Sequence, residues 1–263
     1  MIAIWIISAW QVFGKPKKIN IIELGPGDGS LTKILLEVSK TFPKFNSAKQ
    51  IYLYETSSFL RNLQKKNIQN NHVKWISDFK NIIGGPVIFF GNEFFDAIPI
   101  KQFRKEKNLL FEKYYTLDKF NKIKELFKKA TKKDSAIIKT YKSLRDLSFI
   151  EFPKQGLEEL KKIARKIAKA RGCILMIDYG YLKPKSQSTL QSVMKNKKNP
   201  LLENLGKADI TSHVNFKLLN EFFLKNNLKI EKIVSQQRFL KNMGIIERAE
   251  IISKKMKFRD QSN

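Results

Sequence analysis

A chain of 263 residues, 42% of them hydrophobic, can bury a sizeable core, so disorder is excluded as the starting point. A single cysteine, Cys173, excludes an internal disulfide framework and, with only two histidines, leaves no metal centre to expect; a reducing compartment follows. The formal charge of +27 resembles that of a nucleic-acid binder, but only eight of the 51 basic residues are Arg and lysine pairs such as Lys65-Lys66, Lys128-Lys129 and Lys161-Lys162 run along the whole chain, so a solvated lysine surface is the leading reading and nucleic acid the lesser partner.

The first segment, MIAIWIISAW, is ten residues long, half of what a membrane-spanning helix needs, and lacks the flanks of a signal peptide. It predicts a core helix and no membrane span. After Gly14 and Pro16, INIIEL reads as a strand ended by a glycine cluster. SLTKILLEVSK then reads as a helix with Leu31, Ile34, Leu35 and Val38 on one face and Ser30 as its cap. QIYLYE is a strand, SSFLRNLQKKN a helix starting from Ser57 or Ser58, and HVKWIS and PVIFFGNE are two more strands. This alternation predicts an α/β fold of the Rossmann-like type, a mostly parallel sheet with helices on both faces.

From about 101 to 152 the rhythm changes. KQFRKEKNLLFEKYYTL alternates as antiparallel strands do, and NKIKELFKKATKK reads as a basic helix or loop. The stretch is expected to be a β-rich insertion, facing the substrate, within one domain spanning 1–263. GLEELKKIARKIAKARG restores a helical stripe through Leu157, Leu160, Ile163, Ile167 and Ala168, with Gly172 as the stop, and CILMIDYG is a fifth buried strand. Residues 181–205, rich in Lys, Ser, Asn and Pro, predict a mobile loop. NFKLLNEFFLKNN and ERAEIISKKM predict helices, and LKIEKIVSQ between them a strand.

The loop ELGPGDGS, Glu23–Ser30, follows the first strand, where open α/β sheets bind ligands. It reads acid-x-G-x-G-x-G, through Glu23, Gly25, Gly27 and Gly29, and departs from the dinucleotide fingerprint. S-adenosylmethionine (AdoMet) has no pyrophosphate and carries a sulfonium and an ammonium, so Glu23 and Asp28 suit it where they would repel a diphosphate. Glu55, at the end of the second strand, fits the ribose hydroxyls. Asp78, with Phe79 beside it, follows the third and fits the adenine amine.

FFGNEFFDAIPIKQ, after the fourth strand, sets two acids in apolar surroundings. An unpaired buried carboxylate is costly, so the stretch asks for a partner. Enzymes that methylate base amines carry Asn-Pro-Pro-aromatic here; this chain keeps Asn92, Phe94 and Phe95 but has Glu93 in place of the first Pro. A carboxylate there suits a guanidinium, one edge of which Glu93 can hold. Asp96 is open between a catalytic role and a cap or loop ion pair. Asp178 and Tyr179 end the fifth strand at the same sheet edge, as site residues or as a capping Asp and a packed Tyr. His213 is a site residue or a core histidine.

ELGPGDGSL, NEFFDAIPIKQF, IDYGY, TLQS, KADITSHVNF and FLKNMGIIER occur in the order seen in the MidA-like family of class I AdoMet methyltransferases, which the chain resembles from about Ile2 to Arg248. That family includes the mitochondrial methyltransferase for complex I assembly. The resemblance implies AdoMet as cofactor and symmetric dimethylation of an arginine in a respiratory complex I subunit. It assigns Glu23, Gly25, Gly27, Glu55, Asp78 and Asn92 to the cofactor and Glu93, Asp178, Tyr179 and His213 to the substrate. The family carries a longer N-terminal region with a GDFxT-type motif, which is expected to be missing here, through a misassigned start or a shortened protein. An RNA methyltransferase and an inactive assembly protein are the alternatives, and the bacterial cytoplasm, or else the mitochondrial matrix, is the expected location.

Overall fold

The computed structural model describes residues 1–195 and 197–260. The chain begins with α1 (Ile2–Val12), β1 (Ile19–Leu24), α2 (Ser30–Lys40), α3 (Pro43–Ala48), β2 (Lys49–Tyr54), α4 (Ser58–Ile68), β3 (Val73–Ile76) and β4 (Val87–Asn92). Next come β5 (Lys101–Glu106), β6 (Leu109–Leu117), β7 (Ile123–Lys129), α5 (Lys132–Lys139), β8 (Phe149–Phe152) and α6 (Lys154–Ala170). The last part runs β9 (Gly172–Ile177), β10 (Gly180–Tyr181), β11 (Gln191–Met194), β12 (Lys197–Asn199), β13 (Asp209–Thr211), β14 (Val214–Asn215), α7 (Phe216–Lys225), α8 (Gln236–Asn242) and α9 (Ile245–Asp260). Among the described residues no helix is long and apolar enough to cross a membrane.

These elements divide into two compact units. The first comprises Met1–Phe90, Ala170–Ile177 and the described residues of Glu231–Asn263. Its sheet has the order β3-β2-β1-β4-β9, with β1–β2 and β2–β3 parallel in register, Ile21 beside Ile51 and Ile51 beside Val73. Every residue of β1 is buried, as expected of a central parallel strand. Alternate residues Ile19 and Ile21, Ile51 and Leu53, and Ile88 and Phe90 share one core with Ala3, Ile6, Ile7 and Trp10 of α1, Leu35 of α2 and Phe45 of α3. The apolar start of the chain is thus a core helix.

The second unit comprises Gly91–Lys169 and Asp178–Ile230. It contains an antiparallel sheet in the order β7-β6-β5-β8, a three-stranded sheet β12-β11-β13, and the short parallel pair β10-β14. Lys101 of β5 pairs with Glu112 of β6 at 2.8 Å and with Asp134 of α5 at 3.0 Å, while Lys154 of α6 reaches Asp134 at 2.6 Å. Leu157, Leu160, Ile163, Ala164 and Ile167 form the buried stripe of α6.

Several expectations are corrected. NKIKELFKKATKK is the strand β7 followed by the start of α5; pairing with β6 overrides its helix-like composition, and cation–π contacts such as Lys128 over Tyr114 and Arg104 over Phe127 accommodate the charge. Residues 181–205 include β11 and β12 and are not a bare loop. LKIEKIVSQ has strand-like alternation, yet among the described residues no strand pairs with it, and only its final Gln236 is in a regular element, α8. β9 is half-buried because it is an edge strand. In α2, Ile34 is exposed while Thr32 and Ser39 are buried, because both hydroxyls are hydrogen-bonded. In α6, Ala164 is buried and Ala168 is not. Arg171, at φ +57°, takes the left-handed position expected of Gly172. Gly172 instead opens β9, where a Cβ would lie 2.3 Å from the Val87 carbonyl oxygen.

Candidate active site

In the first unit the turn after β1 is built by backbone that ordinary residues avoid: Gly25, Gly27 and Gly29 have φ of +59°, +55° and +86°. Gly29 occupies the N-cap of α2, and Ser30, expected there, is the first helical residue. Asp28 does the capping work. It accepts from the Ser30 N–H at 2.9 Å and the Ser30 hydroxyl at 2.7 Å, and these bonds hold its carboxyl below the usual range. Glu23, 3% exposed, accepts a hydrogen bond from the Thr32 hydroxyl. Burial pushes its carboxyl up to about 7, with the Thr32 bond opposing and nearby Asp28 adding to the rise.

Glu55 follows β2 and is buried. One carboxylate oxygen accepts from the Ser57 N–H at 2.8 Å; the other lies 3.4 Å from the Gln64 amide nitrogen. Gln64 is a site residue that sequence reasoning missed. Its amide also donates to the Gly27 carbonyl at 2.8 Å, and its oxygen accepts from the Trp75 indole at 2.9 Å. Gln64 therefore ties the glycine turn to Glu55 and to β3. The available signal is its position four residues before Ile68 on the buried face of α4. Asp78 is half-exposed and accepts from the Lys80 N–H at 2.6 Å. Phe79 is buried between Tyr54, at 4.8 Å centroid distance, and Phe89, at 5.4 Å. A Cβ at Gly27 would meet nothing within 4 Å. Open space at a glycine turn flanked by buried acids fits a cationic, pyrophosphate-free cofactor.

In the second unit, Asn92 ends β4 exposed, and Glu93 follows, exposed, at φ +49°. Asp96 is 4% exposed and its Oδ1 has no hydrogen-bond partner. Among the described residues no helix begins there and no ion pair forms with it, so neither bland reading of Asp96 holds. The Tyr179 side chain lies near the Asp96 carboxylate, and burial together with that acid raises its hydroxyl above the usual range. Asp178 spends its oxygens on backbone: Oδ2 accepts from the Phe95 N–H at 2.9 Å and the Asp96 N–H at 3.2 Å, and Oδ1 from the Tyr179 N–H at 2.9 Å. Burial, with the Asp96 charge adding, pushes the Asp178 carboxyl up to about 6, against those three bonds. His213 is exposed, its ring 5.5 Å from that of Tyr179, and its backbone N–H donates to the Thr189 hydroxyl at 2.9 Å. Asp96, Asp178, Tyr179 and His213 are thus one connected group.

Beside that group is a cavity of about 410 Å³ lined by Tyr181, Lys185, Thr189, Gln191, Lys198 and His213, among others. Its wall is anchored by Glu151, a residue not anticipated from sequence. Buried in β8, Glu151 accepts from the Gln102 amide at 2.9 Å, the Thr189 N–H at 3.0 Å and the Thr189 hydroxyl at 2.5 Å. The acid in the FIEF strand is its only trace.

A sheet in the order β3-β2-β1-β4-β9, with a glycine turn after its first strand and buried acids at the ends of its first two, fits the class of AdoMet-dependent methyltransferases. The comparisons agree. Residues 1–234 match the family described as "Putative S-adenosyl-L-methionine-dependent methyltransferase", and the chain belongs to that family. AdoMet is its cofactor. Among curated relatives, "Protein arginine methyltransferase NDUFAF7, mitochondrial" of Danio rerio is 29% identical across 96% of this chain and 65% of its own length. The Homo sapiens protein of that name is 25% identical across 96% of this chain and 62% of its own. The chain therefore spans somewhat less than two thirds of these relatives. A Burkholderia thailandensis protein solved with S-adenosyl-homocysteine superposes with a TM-score of 0.73 at 19% identity, over 93% of this chain and 65% of that one. A native structure from the same organism gives 0.75 at 19% identity, over 93% and 67%. These likenesses establish the fold.

Proposed function

We propose that the chain is an AdoMet-dependent protein-arginine N-methyltransferase that forms symmetric dimethylarginine on a respiratory complex I subunit or an equivalent protein. The observation that carries the arginine reading is the acidic turn after β4, where Glu93 is exposed on strained backbone and Asp96 is buried with a free oxygen. Two carboxylates favour a cationic acceptor, and a guanidinium offers N–H donors in the fork that carboxylates match. The names of the curated relatives support a protein-arginine acceptor; symmetry and the complex I target rest on the MidA-like resemblance. The relatives are mitochondrial proteins, which supports the matrix as the setting; the bacterial cytoplasm is proposed on the single cysteine and the sequence alone.

In this reading Glu23 and the Gly25–Gly29 turn receive the amino-acid end of AdoMet, with Asp28 shaping that turn through its bonds to Ser30. Glu55 takes the ribose, Asp78 and Phe79 the adenine, and Asn92 assists. The cofactor, when bound, supplies an electrophilic methyl group on a sulfonium. Glu93 holds one edge of the guanidinium, localising its charge and leaving lone-pair character on the far nitrogen. Asp178 keeps the turn in place through the Phe95 and Asp96 amides, and Tyr179 and His213 flank the acceptor. Holding reactants in a near-attack geometry is worth roughly 7–11 kcal/mol of barrier at best, so positioning accounts for most of the rate.

The test is transfer of labelled methyl from AdoMet to complex I subunits, followed by amino-acid analysis. Label should appear in symmetric dimethylarginine and fall by at least a hundredfold in Glu93→Gln, while calorimetry shows AdoMet binding retained. Label in RNA instead, or full activity in Glu93→Gln, would overturn the reading.

A further inference from the structure

The β6–β7 hairpin carries chemistry that methyl transfer does not use. Its turn, Asp118–Lys122, is rigidly built: the Asp118 carboxylate accepts from the Phe120 N–H at 2.8 Å and the Lys122 N–H at 2.9 Å, and the Asp118 N–H donates to the Lys122 carbonyl at 2.9 Å. That frame presents Phe120, 71% exposed, at the tip. Immediately behind it Leu117, 60% exposed, and Ile123, 41% exposed, are directly paired across the strands, and Tyr115 lies two residues further along the same face. Around this apolar tip stand Lys119, Lys122 and Lys124. Among the described residues none of these lysines forms an ion pair, and the nearby Glu125 is taken by Lys113. Lys119 lies 5.0 Å from the Phe120 ring centroid.

We propose that this hairpin tip docks the protein onto an anionic lipid surface, with Phe120, Leu117 and Ile123 entering the headgroup–acyl boundary and the three lysines meeting the lipid charges. Three large side chains on one tight turn form a wedge. Three large side chains, even at the roughly 150–250 Å² each that a fully buried aromatic covers, fall short of the roughly 800 Å² per partner that a stable protein interface buries. A nucleic acid would use the lysines and leave Leu117 and Ile123 in water. An apolar point ringed by unpaired cations matches a bilayer whose outer layer is anionic and whose interior is apolar.

The full chain, at +27, will adsorb to any acidic surface, so the decisive comparison holds charge constant. Flotation with vesicles of phosphatidylcholine containing about 30% phosphatidylserine or cardiolipin should recover the wild type. Recovery of the Leu117→Ser, Phe120→Ser double variant, which has the same charge, should drop at least fivefold. The Phe120→Trp variant should gain fluorescence that shifts to the blue with these vesicles and is quenched by brominated acyl chains, relative to the wild type with its own tryptophans. Circular dichroism checks that both variants are folded. Equal recovery of the double variant would mean adsorption by charge alone and would overturn the proposal. So would added fluorescence in Phe120→Trp that brominated lipid leaves unquenched, or a wild type that ignores vesicles while an acidic protein or RNA protects the hairpin from protease. None of these readouts depends on methyl transfer.

Discussion

Glu93 is held at φ +49°, a conformation that costs an ordinary L-residue roughly 1–2 kcal/mol. Glycine would relieve that strain, so Glu93→Gly separates backbone from chemistry. Its melting temperature is expected to equal or exceed that of the wild type, while arginine methylation falls at least a hundredfold; calorimetric melting and the label assay are the two measurements. Retained activity would show that the carboxylate is dispensable. The sequence makes Glu93 and Asp96 conspicuous, because acids in an apolar run demand partners. It does not reveal that the turn is pinned by Asp178, 82 residues beyond Asp96, since the ligands are backbone amides and carry no side-chain signature. Asp28 shows the converse. Its place in the glycine motif suggests a cofactor role, and the structure spends its carboxylate on Ser30.

Among elements, α4 carries more of the site than its sequence advertises. Gln64→Ala would leave the Gly27 carbonyl and the Trp75 indole N–H without their partner, at a cost of about 1–3 kcal/mol for each group kept from water. Chemical denaturation should report that loss. AdoMet titration should report weaker binding in Gln64→Ala, and also in Gln64→Glu, whose carboxylate would face the Gly27 carbonyl and Glu55 where the amide donated. Strands β1 and β4 are legible because buried central strands are short, mostly apolar runs. β7 and β11 are not, because a lysine-rich or polar run becomes a strand only when a distant neighbour pairs with it. Residues 228–235 err in the other direction: alternation is present, and among the described residues the neighbour is absent.

For the molecule as a whole, two carboxyl groups with raised pKa give stability an unusual slope. Glu23, near 7 when folded against an ordinary 4.5, contributes stability that is complete below 4.5 and lost as pH rises through 7, on the order of 3 kcal/mol. Asp178 acts in the same sense, complete below 3.8 and lost through about 6. The melting temperature should therefore fall between pH 5 and 7.5, and Glu23→Gln should flatten most of that fall. A slope unchanged in Glu23→Gln would reject the assignment. A cationic ligand beside Glu23 would favour its ionised form, so AdoMet binding should tighten over the same range. Class and cofactor are legible at this scale because one motif at each of three strand ends suffices to name them. The partner of the hairpin is not, since its lysines are indistinguishable in sequence from the lysines everywhere else.

Glu151 has a consequence in time as well as in space. By gripping the Thr189 amide and hydroxyl from within β8, one buried acid should give a polar segment the opening kinetics of a sheet. In deuterated solvent the Thr189 amide should exchange at the pace of the β5–β8 pairing, orders of magnitude behind the exposed Lys183 and Lys185 amides nearby. Substituting Glu151 by Gln should bring it much closer to theirs.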